Sequence, residues 1–390
     1  MRIRRGVSAL LVTVVGVTGA ACTPPPTGKP SGPCSGQVVE PADPSLFSLP
    51  HAISANGQWL VTSRTIGEDY QLSVRTTAPS DTGSVVLTTP KELLRGVAVN
   101  DDGTRLLLQR RSAESTGLLF ELVDTDTGQV APIPAPDLAL PDGASSQTIR
   151  TWADYETGFL TSSLAISHDA ERVVWVRAVF PDDGGVERSY VVTDIDTGEV
   201  LGEGDVWAVR SPSLTAAVHA VPVGAVGGNA NPTVTDLTDG SSQSLLPARA
   251  ALGAAGVPDQ RQWAINVSDD GRYVVFARSS SGFTDRLFLW DVVDEALREV
   301  PLVAGWEVLA KAAVDDRGRI QFFRSNSSGT YTAHLWDPAT DTISTLTSTI
   351  YWANFNELVF RKTPDLSNFV TSVQRTTPPL GVEMRLIGCP

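Results

Sequence analysis

The sequence is poor in the residues that usually carry catalysis or bind metals. Its 390 residues include only four histidines and three cysteines, and the cysteines do not cluster. A zinc site built from thiolates is therefore excluded, because its ligands lie at short spacings in the sequence. The motifs G-x-S-x-G, H-E-x-x-H and C-x-x-C are also absent. We expect no metal and no cofactor, and no catalytic residue is predicted.

Lysine is scarce too, and acidic residues dominate the charge. Asp and Glu number 44 against 30 Lys and Arg, the formal net charge is −14, and only four of the basic residues are lysine. A net acidic surface repels the phosphate backbone of DNA and RNA. Nucleic acid is therefore not expected among the partners.

Long hydrophobic runs are absent except at the N-terminus. There, three arginines precede an apolar run over 6–17, which is too short to span a bilayer and is typical of a signal peptide. The run ends in Thr18-Gly19-Ala20-Ala21-Cys22, which resembles the bacterial lipoprotein box and implies lipidation of Cys22. We predict a signal peptide over 1–21 and a lipid-anchored protein outside the cytoplasm. The alternative is a secretory signal cleaved after Ala20 or Ala21, which would make the protein secreted.

A proline-rich segment follows the lipidation site. Residues 22–34 contain five prolines among small and polar residues, a composition typical of a semi-rigid tether. Lipidation of Cys22 leaves an even pair of cysteines, Cys34 and Cys389, as expected in an oxidising compartment.

The rest of the chain is built from a repeat of nearly fifty residues. Each copy has a small or polar residue, an acidic turn with glycine, and then a strand of alternating apolar residues. Asp-Gly and Asn-Gly supply the positive φ angles that tight hairpins need, and Val, Phe, Tyr and Trp favour strands. The copies lie at 53–64, 99–111, 166–178, 267–279, 314–325 and 364–375, with a degenerate copy at 210–221.

Most copies carry a second polar turn between two strands, for example at 122–130 and 192–200. Two hairpins in each repeat give four strands, and repeated four-stranded units are the pattern of a β-propeller. We predict an all-β fold, a single propeller of seven four-stranded blades over 35–390, without sustained helical periodicity. Six blades and a large insertion are the alternative.

The two ends of the repeat region fit one closed ring. The last copy stops one strand short of a full blade, and residues 36–40 could supply the missing outer strand. Cys34 and Cys389 would then lie side by side, and a disulfide between them would close the ring. Two free buried thiols are the alternative.

The repeat motif is clearest in Val267–Ser279, where Ser-x-Asp-Gly precedes an apolar strand. It resembles the TolB-type, WD-like propeller repeat of bacterial periplasmic and surface proteins, and the resemblance covers roughly 35–390. It implies the fold more strongly than the function. Members of the family include binding scaffolds and, with an added catalytic domain, peptidases. No such domain is recognised in this sequence, so the resemblance implies the scaffold role.

Aromatic and basic residues gather where one blade connects to the next. The repeat places this zone at one mouth of the channel, where loops on a rigid scaffold commonly bind partners. The residues are Arg95, Arg150, Trp152, Tyr155, Trp207, Arg261, Trp263, Trp306, Lys311 and Trp352. We predict a binding face here, and the alternative is that the tryptophans fill gaps between blades.

These features predict a non-catalytic binding scaffold, held outside the cytoplasm by a lipid anchor, that engages an envelope protein or glycan. The alternative is a cell-envelope polysaccharide lyase or hydrolase, which needs acids or bases converging in a funnel at the channel mouth. A third hypothesis is a purely structural envelope protein, which would show no saturable partner.

Overall fold

The computed structural model shows seven β-sheets packed face to face around a central channel, as the blades of a propeller are. The prediction of an all-β propeller with seven blades is confirmed. The structure describes residues 34–43, 48–79, 81–111, 118–151, 165–205, 208–219, 232–278, 283–325, 331–350, 360–375 and 381–389. Within these ranges, no helix is long and apolar enough to cross a membrane.

Each blade is an antiparallel meander whose four strands run from the channel to the rim. Strand β1 (Ser35–Asp43) belongs to the last blade. Blades 1 to 3 consist of β2–β5 (Ser48–Ile53, Trp59–Ile66, Asp69–Thr76, Ser84–Pro90), β6–β9 (Leu94–Val99, Arg105–Arg111, Leu118–Asp124, Val130–Pro132) and β10–β13 (Ala144–Thr151, Arg172–Pro181, Glu187–Asp194, Val200–Asp205).

Blades 4 to 7 follow the same plan. They consist of β14–β17 (Val209–Arg210, Ala216–His219, Thr233–Asp236, Ser242–Ser244), then β18, β19, β21 and β22 (Gln262–Val267, Tyr273–Arg278, Leu287–Asp291, Ala296–Glu299), then β23–β26 (Val308–Val314, Ile320–Ser325, Tyr331–Asp337, Thr342–Ile350), and β27–β29 (Phe360–Lys362, Asn368–Arg375, Gly381–Gly388) with β1. The short strand β20 (Phe283–Thr284) leaves blade 5 and pairs with β23, the first strand of blade 6.

One helix departs from the expectation of a chain without helical periodicity. Helix α1 (Leu246–Ala254) connects blade 4 to blade 5, has a proline in its first turn and buries Ala248 and Leu252. Two buried positions four residues apart are too few to give a periodic signal in the sequence, although alanine favours the helix.

The meander gives the ring two different ends. The turns between the first and second strands and between the third and fourth strands lie at one end, which we name the turn face. The other loops and the connections between blades lie at the opposite end, the connection face. Hydrophobic core fills the space between neighbouring blades; Val99 of blade 2, for example, packs with Val61 and Leu72 of blade 1.

The ring is closed by its two termini, as predicted. Strand β1 pairs antiparallel with β29 and forms the outer strand of blade 7. A disulfide joins Cys34 to Cys389, 355 residues apart in the chain. Because a crosslink over so long a loop restricts the unfolded chain strongly, we expect it to stabilise the fold by up to about 5 kcal/mol.

All seven turns between first and second strands have one hydrogen-bond pattern. The fourth residue of each turn has a φ angle between 51° and 77° and donates its N–H to the first residue's carbonyl at 2.9–3.2 Å. The first residue's side chain accepts an N–H from the next strand at 2.8–3.1 Å. Three copies hold this left-handed conformation without glycine, at Ala170, Leu214 and Leu366.

Neighbouring turns are tied to one another across the turn face. The described residues link five of the junctions between blades through the pairs Asn56–Asp101, His168–Pro212, Ser213–Asp269, Asp270–Asp316 and Arg319–Asp365. Most of these links use an aspartate oxygen as the acceptor, so acidic residues concentrate at this end of the ring. We call the linked turns the turn belt.

Candidate functional site

The strands that line the channel carry positive charge in an otherwise acidic protein. The first strands of the seven blades, within the bounds given above, contain no Asp or Glu. Their titratable residues are His51, Arg95, Arg150, Arg210, Lys311, Arg361 and Lys362. Only blade 5 contributes none. The described first strands therefore have a charge opposite to that of the whole chain, whose net charge is −14.

Two of these cations occupy positions that other blades fill with apolar residues. The residue before each turn of the turn belt is a buried β-branched residue in five blades, namely Ile53, Val99, Ile166, Val267 and Val314. Blade 4 has Arg210 at this position, and blade 7 has Lys362. Burial lowers the pKa of Lys362 to about 8 and that of Arg210 to about 10. Such replacements oppose stability, so they point to a function.

The position one residue earlier joins the first strands of neighbouring blades. Asn266 of blade 5 accepts the N–H of Val314 of blade 6 at 3.0 Å. At the equivalent position in blade 7, Arg361 donates from Nε to the carbonyl of His51 in blade 1 at 2.6 Å. One side of the Arg361 guanidinium is thus fixed by the fold.

A small pocket of about 30 Å³ opens beside Arg361. It is lined by residues of three blades, His51, Tyr70, Leu94, Arg95, Gly96, Val97 and Arg361. The pairing register shifts at His51 in β2 and at Arg95 in β6, where each first strand has one residue more than its partner. Such irregularities change the direction of a side chain, and here they bring two basic residues to one pocket.

The pocket offers hydrogen-bond donors and no described carboxylate. Arg95 is exposed and donates from Nη1 to the carbonyl of Leu94 at 3.0 Å. The His51 ring packs edge-on against Tyr70, with centroids 5.3 Å apart, and its Nε2 lies 2.8 Å from the Ser63 hydroxyl. Burial, and to a lesser degree Arg361, lower the pKa of His51 to about 3. The imidazole is therefore neutral at physiological pH.

A second histidine reaches across the channel at the turn face. His168 of blade 3 makes a hydrogen bond to the backbone of Ile53 in blade 1. Burial first, then the charges of Lys362 and Arg361, lower its pKa to about 4. A side chain held by blades on both sides narrows the channel at this end, so we expect a ligand to enter from the connection face.

The structure describes only some of the residues that were predicted to form one binding face. Arg150 is exposed on the first strand of blade 3, and Arg261 is exposed before that of blade 5. Trp152, Tyr155, Trp207 and Trp352 lie outside the described residues. Arg95 is the residue of this zone that the structure places in the pocket. The binding role of the face stays a prediction.

The two described tryptophans of that face pack against the core between blades 5 and 6. The Trp306 ring lies between the Arg324 guanidinium, 4.5 Å from its centroid, and the His334 ring at 4.9 Å. Trp263 is partly buried in the same cluster. Their surroundings match the alternative in which tryptophans fill gaps between blades.

His51, Arg210, Arg361 and Lys362 were not among the residues predicted from the sequence to bind a partner. The available signal was the position of Arg210 and Lys362 directly before a repeat turn, where the other five copies have valine or isoleucine. A repeat alignment would have revealed it, but the register shift at His51 could not be read from the sequence.

The fold and this channel define the protein as a β-propeller. No protein-family model matches the sequence, and the comparison with curated proteins finds no match. Among solved structures, an oligogalacturonate lyase in complex with manganese aligns with a TM-score of 0.52 and 11% identity, covering 92% of this chain and 97% of that chain. The β-propeller domain of the Trilobed protease from Pyrococcus furiosus aligns with a TM-score of 0.51 and 12% identity, covering 87% of this chain and 93% of that chain.

A peptidase also shares the fold, and a TolB protein aligns with a lower score. The acylaminoacyl peptidase of Pyrococcus horikoshii aligns with a TM-score of 0.51 and 13% identity, covering 87% of this chain and 51% of that chain. TolB from Acinetobacter baumannii aligns with a TM-score of 0.39 and 14% identity, covering 86% of this chain and 81% of that chain. At such identities the similarity establishes the propeller fold alone, and membership of the TolB-type family stays a prediction.

Proposed function

We propose that the protein is a non-catalytic binding scaffold, lipid-anchored outside the cytoplasm, that holds a component of the cell envelope at the connection face. The observation that carries this proposal is the pocket of three blades beside a channel lined by basic residues. A closed, disulfide-linked ring keeps these blades in place. A rigid scaffold of this kind presents a preformed site, which favours binding.

The chemistry of the pocket favours binding over hydrolysis or elimination. A glycoside hydrolase of the usual kind needs two carboxyl groups, and the pocket lining contains neither Asp nor Glu. A lyase needs a base whose pKa lies near the working pH. The pKa of His51, about 3, makes its imidazole a weak base. The lyase or hydrolase therefore remains the second candidate.

Binding to isolated envelopes tests the scaffold. The detergent-solubilised full chain is incubated with envelope fragments that have first been stripped of protein by protease, and separately with untreated fragments. Saturable co-sedimentation supports the scaffold, and the stripped fragments distinguish a glycan from a protein partner. Absence of saturable binding to either preparation contradicts it, and so does the release of shortened or unsaturated saccharides, which would establish an enzyme.

The lipid anchor has its own test. Cys22→Ser removes the thiol that lipidation requires, while the predicted signal peptide still exports the chain. We expect the wild type in the membrane fraction and the variant in the soluble extracytoplasmic fraction or the medium. Equal release of both proteins would contradict lipidation and support the secreted alternative.

A further inference from the structure

We infer that the pocket formed by His51, Arg95 and Arg361 binds a single oxyanion, a carboxylate or phosphate group of the ligand, and that the cations of the channel draw the ligand to it. This inference rests on the proposed function, because it names the chemical class of the component that the scaffold holds.

Three of the channel cations, Arg95, Lys311 and Lys362, have no ion-pair partner among the described residues. Ion pairs between described residues neutralise many arginines on the blades, for example Arg110 with Glu121 and Arg286 with Glu299. The described first strands thus carry basic residues and no acidic ones, in a protein that has more acidic than basic residues.

The charge of the channel lining also favours an anionic ligand. A cleft that is lined by charges of one sign within protein walls of low dielectric constant concentrates ions of the opposite sign. Burial lowers the pKa of Lys362, because an ammonium group at this position is poorly solvated. A bound anion would offset this desolvation, so binding and charge on the channel support each other.

The geometry of the guanidinium donors at the pocket also favours an oxyanion. The Nε of Arg361 is held by the carbonyl of His51, which fixes the guanidinium at the pocket wall. Arg95 approaches the same pocket from the neighbouring blade on an exposed side chain. The guanidinium fork matches the paired oxygens of a carboxylate or phosphate, and neutral His51 adds no charge of its own.

The size of the pocket limits what enters it. A volume of about 30 Å³ holds a water-sized group, so it can take the charged oxygens of a ligand but not a sugar ring. The remainder of the ligand must then lie in the channel, where Lys311 and Lys362 can contact further anionic groups. A repeating anionic polymer or its oligomer fits this arrangement better than a neutral glycan.

Titration of the full chain with two small probes tests the inference. Inorganic phosphate and glucuronate are added to the solubilised protein at low salt, and binding is measured by calorimetry. We expect saturable binding of at least one probe, weakened by salt, and the preferred probe distinguishes a phosphate from a carboxylate source. Arg95→Ala should weaken binding at least about ten-fold, and Arg95→Lys should restore part of it, because lysine keeps the charge but lacks the fork.

Arg317→Ala is the matched control, because it removes an equal charge from an exposed position on the turn face. It should bind as the wild type does. Binding of neither probe by the wild type, or equal losses in Arg95→Ala and Arg317→Ala, would overturn the inference. If stripped envelopes bind wild type and Arg95→Ala equally, the oxyanion site is contradicted and the binding scaffold is still supported. If the wild type binds no envelope preparation, the proposed scaffold function is contradicted. Far-ultraviolet circular dichroism confirms that each variant is folded.

Discussion

The turn face and the channel use the same seven repeats in opposite ways. On the turn face, all seven blades form one hydrogen-bonded turn, even where Ala170, Leu214 or Leu366 replaces glycine. In the channel, equivalent positions differ from blade to blade, and Arg210 and Lys362 replace β-branched residues. Features that every blade keeps stabilise the ring, whereas the positions that single blades change are those at which we propose a function.

The two regions also concentrate opposite charges. On the turn face, burial and the neighbouring Asp270 and Asp269 raise the pKa of Asp316 to about 6. In the channel, burial lowers the pKa of Lys362 to about 8. The aspartates of the turn belt accept hydrogen bonds from the turn of the preceding blade, so the fold itself uses their charge. The fold makes no comparable described use of Arg95, Lys311 and Lys362, which leaves them available for a ligand.

Breaking the turn belt at its buried ion pair should have the largest effect on stability. Arg319 donates from Nε to Asp315 at 2.8 Å and from Nη2 to the carbonyl of Asp365 in blade 7 at 2.6 Å. Arg319→Ala leaves a carboxylate that is 2% exposed without this partner, which costs about 3–5 kcal/mol. Urea unfolding measures the loss, and Arg317→Ala should stay within about 0.5 kcal/mol of the wild type. A loss for Arg319→Ala as small as that of the control would contradict the structural role.

A comparison of two glycines separates backbone strain from packing. Gly103 and Gly143 both have a φ angle of +75°, but a Cβ at Gly103 would lie 2.3 Å from the Trp59 ring, while one at Gly143 meets nothing within 4 Å. Gly143→Ala should cost about 1 kcal/mol for the backbone alone. Gly103→Ala should cost about 2–4 kcal/mol. Equal losses in thermal or urea unfolding would show that the contact with Trp59 is not tight.

Removing a single turn hydroxyl should have a smaller effect. The buried Oγ of Ser268 accepts the N–H of Tyr273 at 2.9 Å and donates to Asp270 at 2.6 Å. Ser268→Ala should lower the free energy of unfolding by about 1–2 kcal/mol. Blade 7 has Thr363 at the equivalent position, with its hydroxyl 3.0 Å from the N–H of Asn368. Ser268→Thr should therefore stay close to wild type, and a loss as large as that of Ser268→Ala would refute the hydroxyl's role.

The smallest effect concerns acidification. Burial lowers the pKa of His334 from 6.5 to about 4, so the unfolded chain binds a proton there more readily than the folded chain. This stability is present above pH 6.5 and is lost as the pH falls towards 4. His334→Phe keeps a ring beside Trp306 and Phe322. Between pH 7.5 and 5 it should lose on the order of 1 kcal/mol less than the wild type. If the free energies of unfolding of wild type and His334→Phe changed in parallel with pH, a buried neutral His334 would be contradicted.

Much of the ring could be predicted because short local motifs in the sequence determine its turns. Asn-Gly or Asp-Gly marks three of the turns, at Gly57, Gly103 and Gly271. Closure by β1 was predicted because the last copy lacked one strand. The degenerate turn at 211–215 was recognisable from the spacing of the repeats. Leu214, and not a glycine, adopts the left-handed φ angle in this turn. Helix α1 was missed because it is only nine residues long.

The channel site was harder to predict, because side-chain direction depends on strand register. Tryptophans were predicted as binding residues from their type, and the type alone does not indicate that Trp263 and Trp306 pack against the core between blades 5 and 6. Arg95 was selected for its place in the repeat, but its meeting with His51 and Arg361 requires two register shifts and the closure of blade 7 on blade 1. Such contacts join residues up to 310 positions apart, and no local pattern encodes them.

The most direct measurement of the central claim is the position of a bound anion in a crystal of the protein. Crystals are soaked in selenate, whose selenium scatters anomalously and whose oxygens imitate those of a phosphate. We expect the strongest anomalous peak in the pocket, within hydrogen-bond distance of Arg95 and Arg361. Peaks confined to arginines outside the channel, with an empty pocket at saturating selenate, would contradict the oxyanion site.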